Sequence, residues 1–585
     1  MTRKEKIIFA ALLTFLLLPN IIGTFVATDL LTIGQRFLYC ITSVCIYALG
    51  LCIFKKRTFF YVFSAWFLLS AIEIVHLIIN QATTSMLFIF TCIKSEKGEF
   101  LELLSTYWPV VILFFTLWGI YYFLNHRFIK NEYIAPRGIR LAVLGLIIAF
   151  FTIAIIMLGL RPKFRNIFNF RERDERTAAW VGCEKACPVN MILGTYHIVA
   201  LALEIKHNEE ALSDFRFGVT KASPKTGSAD YKQDNLVVLL IGETSRYDHW
   251  QINGYERETS PCLMARQNEI ISFDSVFTVG NLTTVCVPYI LSRATPENPK
   301  HYYHETSVVD AFHEAGYKTA WIADQSFNNE FLMRIANGCD YAKYVTDNGN
   351  GDFIDSVLLQ PLRHVLNNNT DLNRSNMIVL HSLGCHFKYS ERYPDNFQIY
   401  TPDMKGINVR EMFHSIDENV EGIARLKPEN MAVYRNLKTI LVNSYDNAIA
   451  YTDYFIDNVI REIENTGRPA VLLYLGDHGE NLLDDERNMF LHGTFAGSKY
   501  EYHIPLFVWT SKQYRDLHPG KIEAMKANTG KCISTMTIFH SLLDLGDIDY
   551  PNIDSTRIIS QPTLQSHKVI YGFDANMIRI ELPIH

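Results

Sequence analysis

The chain has 585 residues, too many for one ordinary hydrophobic core, so at least two structural units are expected. Its net charge is only −6, with both signs interspersed and no basic stripe, which excludes nucleic acid as an expected partner. Mean hydropathy is slightly positive, and the apolar excess lies in the first 161 residues; the rest has the composition of a soluble α/β chain.

Five apolar stretches come first: Ile7–Val26, Phe37–Phe54, Phe59–Ile79, Trp108–Leu124 and Leu141–Leu160. Each is close to the roughly 20 residues that a helix needs to cross a bilayer. The first resembles the core of a signal peptide, but four more follow at once, so an anchor is expected. Arg3, Lys4 and Lys6 precede the first stretch, Lys55, Lys56 and Arg57 follow the second, and Arg127, Lys130, Arg137 and Arg140 lie between the fourth and fifth. These sets alternate with loops poorer in basic charge, which places them together on the cytoplasmic side. An odd number of spans then sends everything after Leu160 to the outer side. The expected organisation is a transmembrane domain over 1–161, a juxtamembrane bridge and linker over 162–234, and an exported domain over 235–585.

One outward loop, Thr91–Thr106, carries Glu96, Glu99 and Glu102 beside Lys94 and Lys97. Glu99 and Glu102 share a face if the segment is helical. Two readings stand: a solvated amphipathic helix at the membrane surface, or carboxylates that attract a lipid's ammonium headgroup. The bridge is dense in charge from Arg161 to Asp174, and Thr220–Asp234 has linker composition. Of the 11 cysteines, Cys183, Cys187, Cys262, Cys286, Cys339, Cys385 and Cys532 face an oxidising compartment by this topology, so disulfides are allowed. An odd set leaves at least one of them without a partner in it.

From Asn235 onward, strand-like runs alternate with helical ones. Strands are expected at Leu236–Ile241, Lys318–Ala323, Met377–His381, Val471–Leu475 and Ile504–Trp509, and helices at Thr306–Glu314 and Ser444–Glu464. This alternation predicts a mostly parallel sheet with helices on both faces. Two strands deliver titratable groups just past their C-terminal ends, where open α/β sheets place chemistry. Leu236–Ile241 runs into Gly242-Glu243-Thr244-Ser245, and Val471–Leu475 runs into Gly476-Asp477-His478-Gly479-Glu480. A carboxylate and an Asp-His pair at the tips of buried strands are candidate metal ligands, assembled from distant parts of the chain. Glu480 is a candidate for orienting one of them. His381, His386 and His492 recur in similar places, and each is either a packed structural histidine or a substrate-binding one. The candidate nucleophile is Thr283, in Gly280-Asn281-Leu282-Thr283-Thr284. It would open a helix whose N-terminus favours a phosphate, and a nearby metal would activate its hydroxyl.

Taken in order, these segments resemble the membrane-anchored phosphoethanolamine transferases, a branch of the alkaline phosphatase/sulfatase superfamily. The matching text runs through Gly242-Glu243-Thr244-Ser245-Arg246, Asn253-Gly254-Tyr255 to Ser260-Pro261, Thr283 five residues before Pro288, Val379-Leu380-His381 to His386, Arg392-Tyr393-Pro394, Gly476-Asp477-His478-Gly479-Glu480 and Leu491-His492-Gly493. The resemblance implies a bacterial inner-membrane protein with five transmembrane helices and an exported periplasmic domain of the alkaline phosphatase/sulfatase type. It implies one or two zinc ions, with Glu243, Thr283, Asp477 and His478 as ligands and Thr283 as nucleophile. His386 and His492 would hold the transferred group or a second zinc, His381 would join them, and Glu99 would help seat the donor. The implied reaction moves phosphoethanolamine from phosphatidylethanolamine to lipopolysaccharide, at lipid A or core, or to another envelope glycan. The nearest alternative is transfer of glycerol phosphate onto a periplasmic glycan or polymer. A sulfatase reaction is disfavoured because Cys286-Val287-Pro288-Tyr289-Ile290 lacks the arginine needed to make formylglycine. One departure stands out: several family members place a cysteine shortly before the threonine, whereas here Cys286 follows it.

Overall fold

The computed structural model describes residues 1–27, 33–80, 83–84, 97–159, 185–196, 199, 212, 214–221, 235–325, 330–345, 354–367, 375–406, 431–484, 489–493, 497–573 and 579–583. The chain divides into two compact units, Met1–Glu204 with Ala575–Arg579, and Ile205–Asp574 with Ile580–His585.

The first unit is helical: α1 (Arg3–Val26), α2 (Ile33–Ile53), α3 (Lys56–Val62), α4 (Ser64–Asn80), α5 (Lys97–Phe128) and α6 (Arg137–Gly159). Among the described residues, Arg3–Val26 and Arg36–Ile53 are long and apolar enough to cross a membrane. The third predicted stretch is shared between α3 and α4, which meet at Phe63. The three basic sets lie at one end of the bundle. Lys56 Nζ is 2.8 Å from Glu5 Oε1, and both side chains are buried. The same oxygen accepts the Lys130 amide at 3.2 Å, and Arg57 Nε donates to the Ile129 carbonyl at 2.6 Å. Burial makes an unpaired charge costly, so the ion pair fixes these ends together. Glu99 and Glu102 fall at the start of α5, with side chains outside the described residues, as are Glu96 and Cys92.

The second unit is built on seven strands: β1 (Leu236–Gly242), β2 (Ile270–Phe273), β3 (Lys318–Ala323), β4 (Tyr341–Tyr344), β5 (Asn376–His381), β6 (Ala470–Gly476) and β7 (Leu506–Thr510). Their spatial order is β2-β7-β6-β1-β5-β3-β4. The sheet is mostly parallel; only β7 runs against its two neighbours. Side chains of β1 alternate between two cores. Val237, Leu239 and Ile241 face one, shared with Val308, Phe312 and Phe539. Leu236, Val238 and Leu240 face the other, shared with Tyr445, Ile449, Phe455 and Val459 of the long helix over Met431–Glu464. Helices therefore cover both faces, and continuous apolar runs are what a doubly covered strand requires. Two helices matter later: α7 (Thr283–Leu291) and α9 (Met431–Glu464); α8 (Val308–Glu314) packs on the opposite face from α9.

Some expectations shift. The helix predicted from Thr306 begins at Val308, because Ser307 and Asp310 form a reciprocal capping box. The strand predicted at Ile504–Trp509 starts at Leu506, after Pro505, which has no amide hydrogen to give the ladder. The expected topology allows disulfides for the later cysteines, yet Cys187, Cys262, Cys286, Cys339, Cys385 and Cys532 carry free thiols, as do Cys40, Cys45 and Cys52. Cys183 lies outside the described residues.

Candidate active site

Register places the first two ligands. In the parallel ladder of β1 and β6, Gly242 lies opposite Gly476, so Glu243 and Asp477 leave the sheet side by side. The Asp477 amide donates to the Gly242 carbonyl at 2.8 Å. Thr244 then turns with φ +53, uncommon for a non-glycine residue. Its amide donates to Asp477 Oδ1 at 3.0 Å and its hydroxyl to Glu243 Oε1 at 2.7 Å.

Helix α7 delivers Thr283 as its first residue. At Gly280 a Cβ would come 3.0 Å from Val285 Cγ1, so the approach to α7 is closely packed. The Thr283 hydroxyl lies 2.9 and 3.1 Å from the two Glu243 carboxylate oxygens and 3.2 Å from His478 Nε2. His478 Nε2 is also 3.4 Å from Glu243 Oε1 and 3.5 Å from Asp477 Oδ2. Its Nδ1 lies 2.9 Å from the Gly479 carbonyl, which orients the ring and turns Nε2 toward the cluster.

Burial and mutual charge set the electrostatics of this cluster. Burial pushes the Asp477 carboxyl up, the Glu243 charge adds to this, and its pKa reaches about 7. Burial also works against the Glu243 charge, but His478, His386 and His492 overcome it and hold Glu243 well below the usual carboxylate range. For His478, burial disfavours the imidazolium, yet Asp477 and Glu243 raise its pKa above the ordinary value. Asp477 Oδ2 is buried and accepts no hydrogen bond among the described residues. Two adjacent buried carboxylates, an imidazole and a hydroxyl converging on one point fit a divalent cation.

His492 stands next to this group, its ring 4.4 Å from that of His478 and 6.2 Å from that of His386. Ligand atoms of Glu243, His478 and His492 all lie within 4.8 Å of one another. Burial drives the His492 pKa down to about 3 and lowers that of His386. His492 Nδ1 is 2.9 Å from Glu480 Oε2, and the Tyr389 hydroxyl donates to the other Glu480 oxygen. Burial pushes the Glu480 carboxyl up to about 8. His381 ends β5, fully buried, with its ring edge-on to Trp321 at 6.2 Å. Thus Glu243, Thr283, Asp477, His478 and His492 come together, His386 adjoins them through His492, and His381 is packed into the sheet end. Glu99 belongs to the other unit. Sequence reasoning missed Gln325 and Tyr389. Gln325 Nε2 donates to Glu243 Oε2 at 3.0 Å and to the Ser382 carbonyl at 2.7 Å. Its position two residues past β3 was the one available signal.

Known proteins are similar to this chain at the level of sequence and fold. Phosphoethanolamine transferase EptA of Escherichia coli strain K12 is 31% identical over 293 residues, which is 48% of this chain and 48% of that protein. The chain spans about half the length of the curated relatives it matches. The zinc complex of the C-terminal periplasmic domain of EptC from Escherichia coli is 25% identical, with a TM-score of 0.50, covering 62% of this chain and 97% of that one. The integral membrane lipooligosaccharide phosphoethanolamine transferase A from Neisseria meningitidis covers 94% of this chain and 98% of its own, with a TM-score of 0.64 at 21% identity, so the two share a fold. A family model described as sulfatase matches residues 235–548, from the start of β1 past every residue of the cluster. With that match spanning more than half of the 585 residues, the chain belongs to the sulfatase family.

Proposed function

We propose that this chain transfers phosphoethanolamine from phosphatidylethanolamine to lipopolysaccharide, at lipid A or core, with Thr283 as the nucleophile. The observation that carries the reading is the convergence of Glu243 and His478 on the Thr283 hydroxyl. The names of the relatives above favour phosphoethanolamine over glycerol phosphate as the transferred group. Glu243, Thr283, Asp477 and His478 are the residues that would hold zinc, with His386 and His492 placed for the transferred group or a second ion. Zinc bound there lowers the pKa of the threonine hydroxyl and neutralises charge developing on phosphorus.

The Thr283 oxygen attacks phosphorus, the P–O bond to diacylglycerol breaks, and diacylglycerol leaves with a proton. An acceptor hydroxyl or phosphate oxygen then attacks phosphorus of the phosphoethanolamine–threonine ester, the P–O bond to Thr283 breaks, and the threonine oxygen takes up a proton. Glu243 accepts from the hydroxyl before attack and fixes its direction, which is most of what a loose phosphoryl transition state asks of a protein. Five spans near the N-terminus would anchor the chain in a bacterial inner membrane with the second unit in the periplasm. Donor lipid would then reach the site by diffusion in the bilayer, seated in part by the Glu99 region.

Mass spectrometry of envelope lipids and glycans, with and without the chain, tests the reading. Gain of a phosphoethanolamine group on lipid A or core is expected. Gain of glycerol phosphate, or no change in any acceptor, would reject it.

The Glu480 bridge makes a separate prediction. Tyr389→Phe leaves Glu480 Oε1 without this donor and so loosens the carboxylate whose other oxygen orients His492. Turnover is expected to fall about 10-fold with zinc affinity little changed. Steady-state kinetics beside a metal titration would check it, and parental kinetics would show that His492 needs no such support.

A further inference from the structure

The turn that follows β5 is held from two sides. On one side it leans on Glu243. The Cys385 amide donates to the Glu243 carbonyl at 3.0 Å. Gly384 sits at φ +48, and a Cβ there would come 2.8 Å from the Glu243 carbonyl oxygen and 2.9 Å from its nitrogen. On the other side stands Asp355, buried at the start of a single helical turn. Its Oδ1 accepts the Leu383 amide at 2.9 Å and the Gly384 amide at 3.2 Å. The same turn carries His386, whose amide closes on the Leu383 carbonyl at 3.1 Å. Its Ser382 carbonyl accepts Gln325, which also reaches Glu243.

We infer that Asp355 is a positioning residue of the metal centre: it presses the 382–386 turn against the main chain of Glu243 and so sets the places of Glu243 and His386 together. Asp355 is 112 positions from Glu243, and it reaches the turn through the Leu383 and Gly384 amides, so its effect runs through backbone. The turn leaves no room for a side chain at Gly384, where a Cβ would come 2.8 Å from the Glu243 carbonyl oxygen. Burial raises the Asp355 pKa, with Asp324 and Arg392 beside it. Oδ1 can accept both amides whether or not Oδ2 carries a proton, so the geometry needs an acceptor at this reach, not a charge.

The proposal rests on the metal reading above, and zinc affinity of the full chain in detergent, by competition with a chelator, tests it without any substrate. Asp355→Ala is expected to bind zinc about 10- to 100-fold more weakly than the parent. Asp355→Asn keeps a carbonyl oxygen at the same reach and is expected to match the parent. Parental affinity in Asp355→Ala, or an Asp355→Asn as weak as it, overturns the inference while leaving the metal site standing. A parent chain that binds no zinc removes both. Should Asp355→Ala fail to fold, Asp355→Glu decides: its longer reach drives the turn into Glu243, so weaker zinc binding is expected and unchanged binding overturns the inference.

Discussion

Thr283→Ala is expected to lower phosphoethanolamine transfer by about 10³-fold or more, because it removes the hydroxyl that meets both Glu243 and His478. The fold should survive. Thr283 begins α7, but the capping position belongs to Leu282, and no side-chain cap bond is lost. Glu243 keeps two donors, Thr244 Oγ1 and Gln325 Nε2, so its buried carboxylate is not stranded. Asp477 and His478 also remain, and metal binding should weaken only modestly. Two measurements separate chemistry from structure. Labelled phosphatidylethanolamine gives the turnover, and mass spectrometry of acid-quenched protein reads the adduct. The parent should gain phosphoethanolamine on the peptide containing Thr283, and the variant should gain none. Transfer at the parental rate in Thr283→Ala would take the threonine out of the reaction. Thr283→Ser should retain part of the activity, since it keeps the oxygen and loses only a methyl that restricts the rotamer.

The parts of this site that a sequence reveals are those with a local signature. Leu236–Ile241 and Val471–Leu475 are unbroken apolar runs ending in glycine, and each forms a strand buried on both faces. Their titratable tips are visible because Glu243, Asp477 and His478 follow at once. Strands without such a run were missed. Tyr341–Tyr344 is an edge strand with two of its four residues exposed, and Ile270–Phe273 has only four residues. The reversed direction of β7 is fixed by its neighbours rather than by its own residues. Helix α9 begins 13 residues before the expected Ser444, at Met431. Partners that act through distant contacts left no trace in the order of residues. Tyr389 meets Glu480 from 91 positions away, and Asp355 meets Leu383 from 28. His381 is visible at the tip of β5 for the same local reason, and its ring is buried edge-on to Trp321.

Removal of the divalent cation is expected to silence the chain, with zinc restoring it, and Asp477→Asn should make that loss permanent, at about 100-fold or more in turnover. The same pair of treatments should move stability in opposite directions. In the metal-free parent, Asp477 and Glu243 are buried side by side, and Asp477 Oδ2 accepts no hydrogen bond among the described residues. Burial and the Glu243 charge together disfavour the ionised Asp477. A cation relieves this, and at a concentration 100 times its dissociation constant it adds about 2.7 kcal/mol, or a rise of roughly 5 °C in Tm for a domain of this size. Asparagine at 477 keeps an oxygen for the Thr244 and His478 amides and sets a neutral amide where the second carboxylate oxygen stood. The repulsion disappears. Metal-free Asp477→Asn should therefore melt above the metal-free parent, while showing almost none of the parent's response to zinc. Calorimetry of both proteins, with and without zinc, gives four melting temperatures that decide the matter. A variant that loses stability without zinc would mean that Asp477 is chiefly a structural acceptor for the two amides. A variant that still gains several degrees from zinc would place the cation elsewhere, because a ligand set missing one of its two carboxylates cannot hold the ion as before.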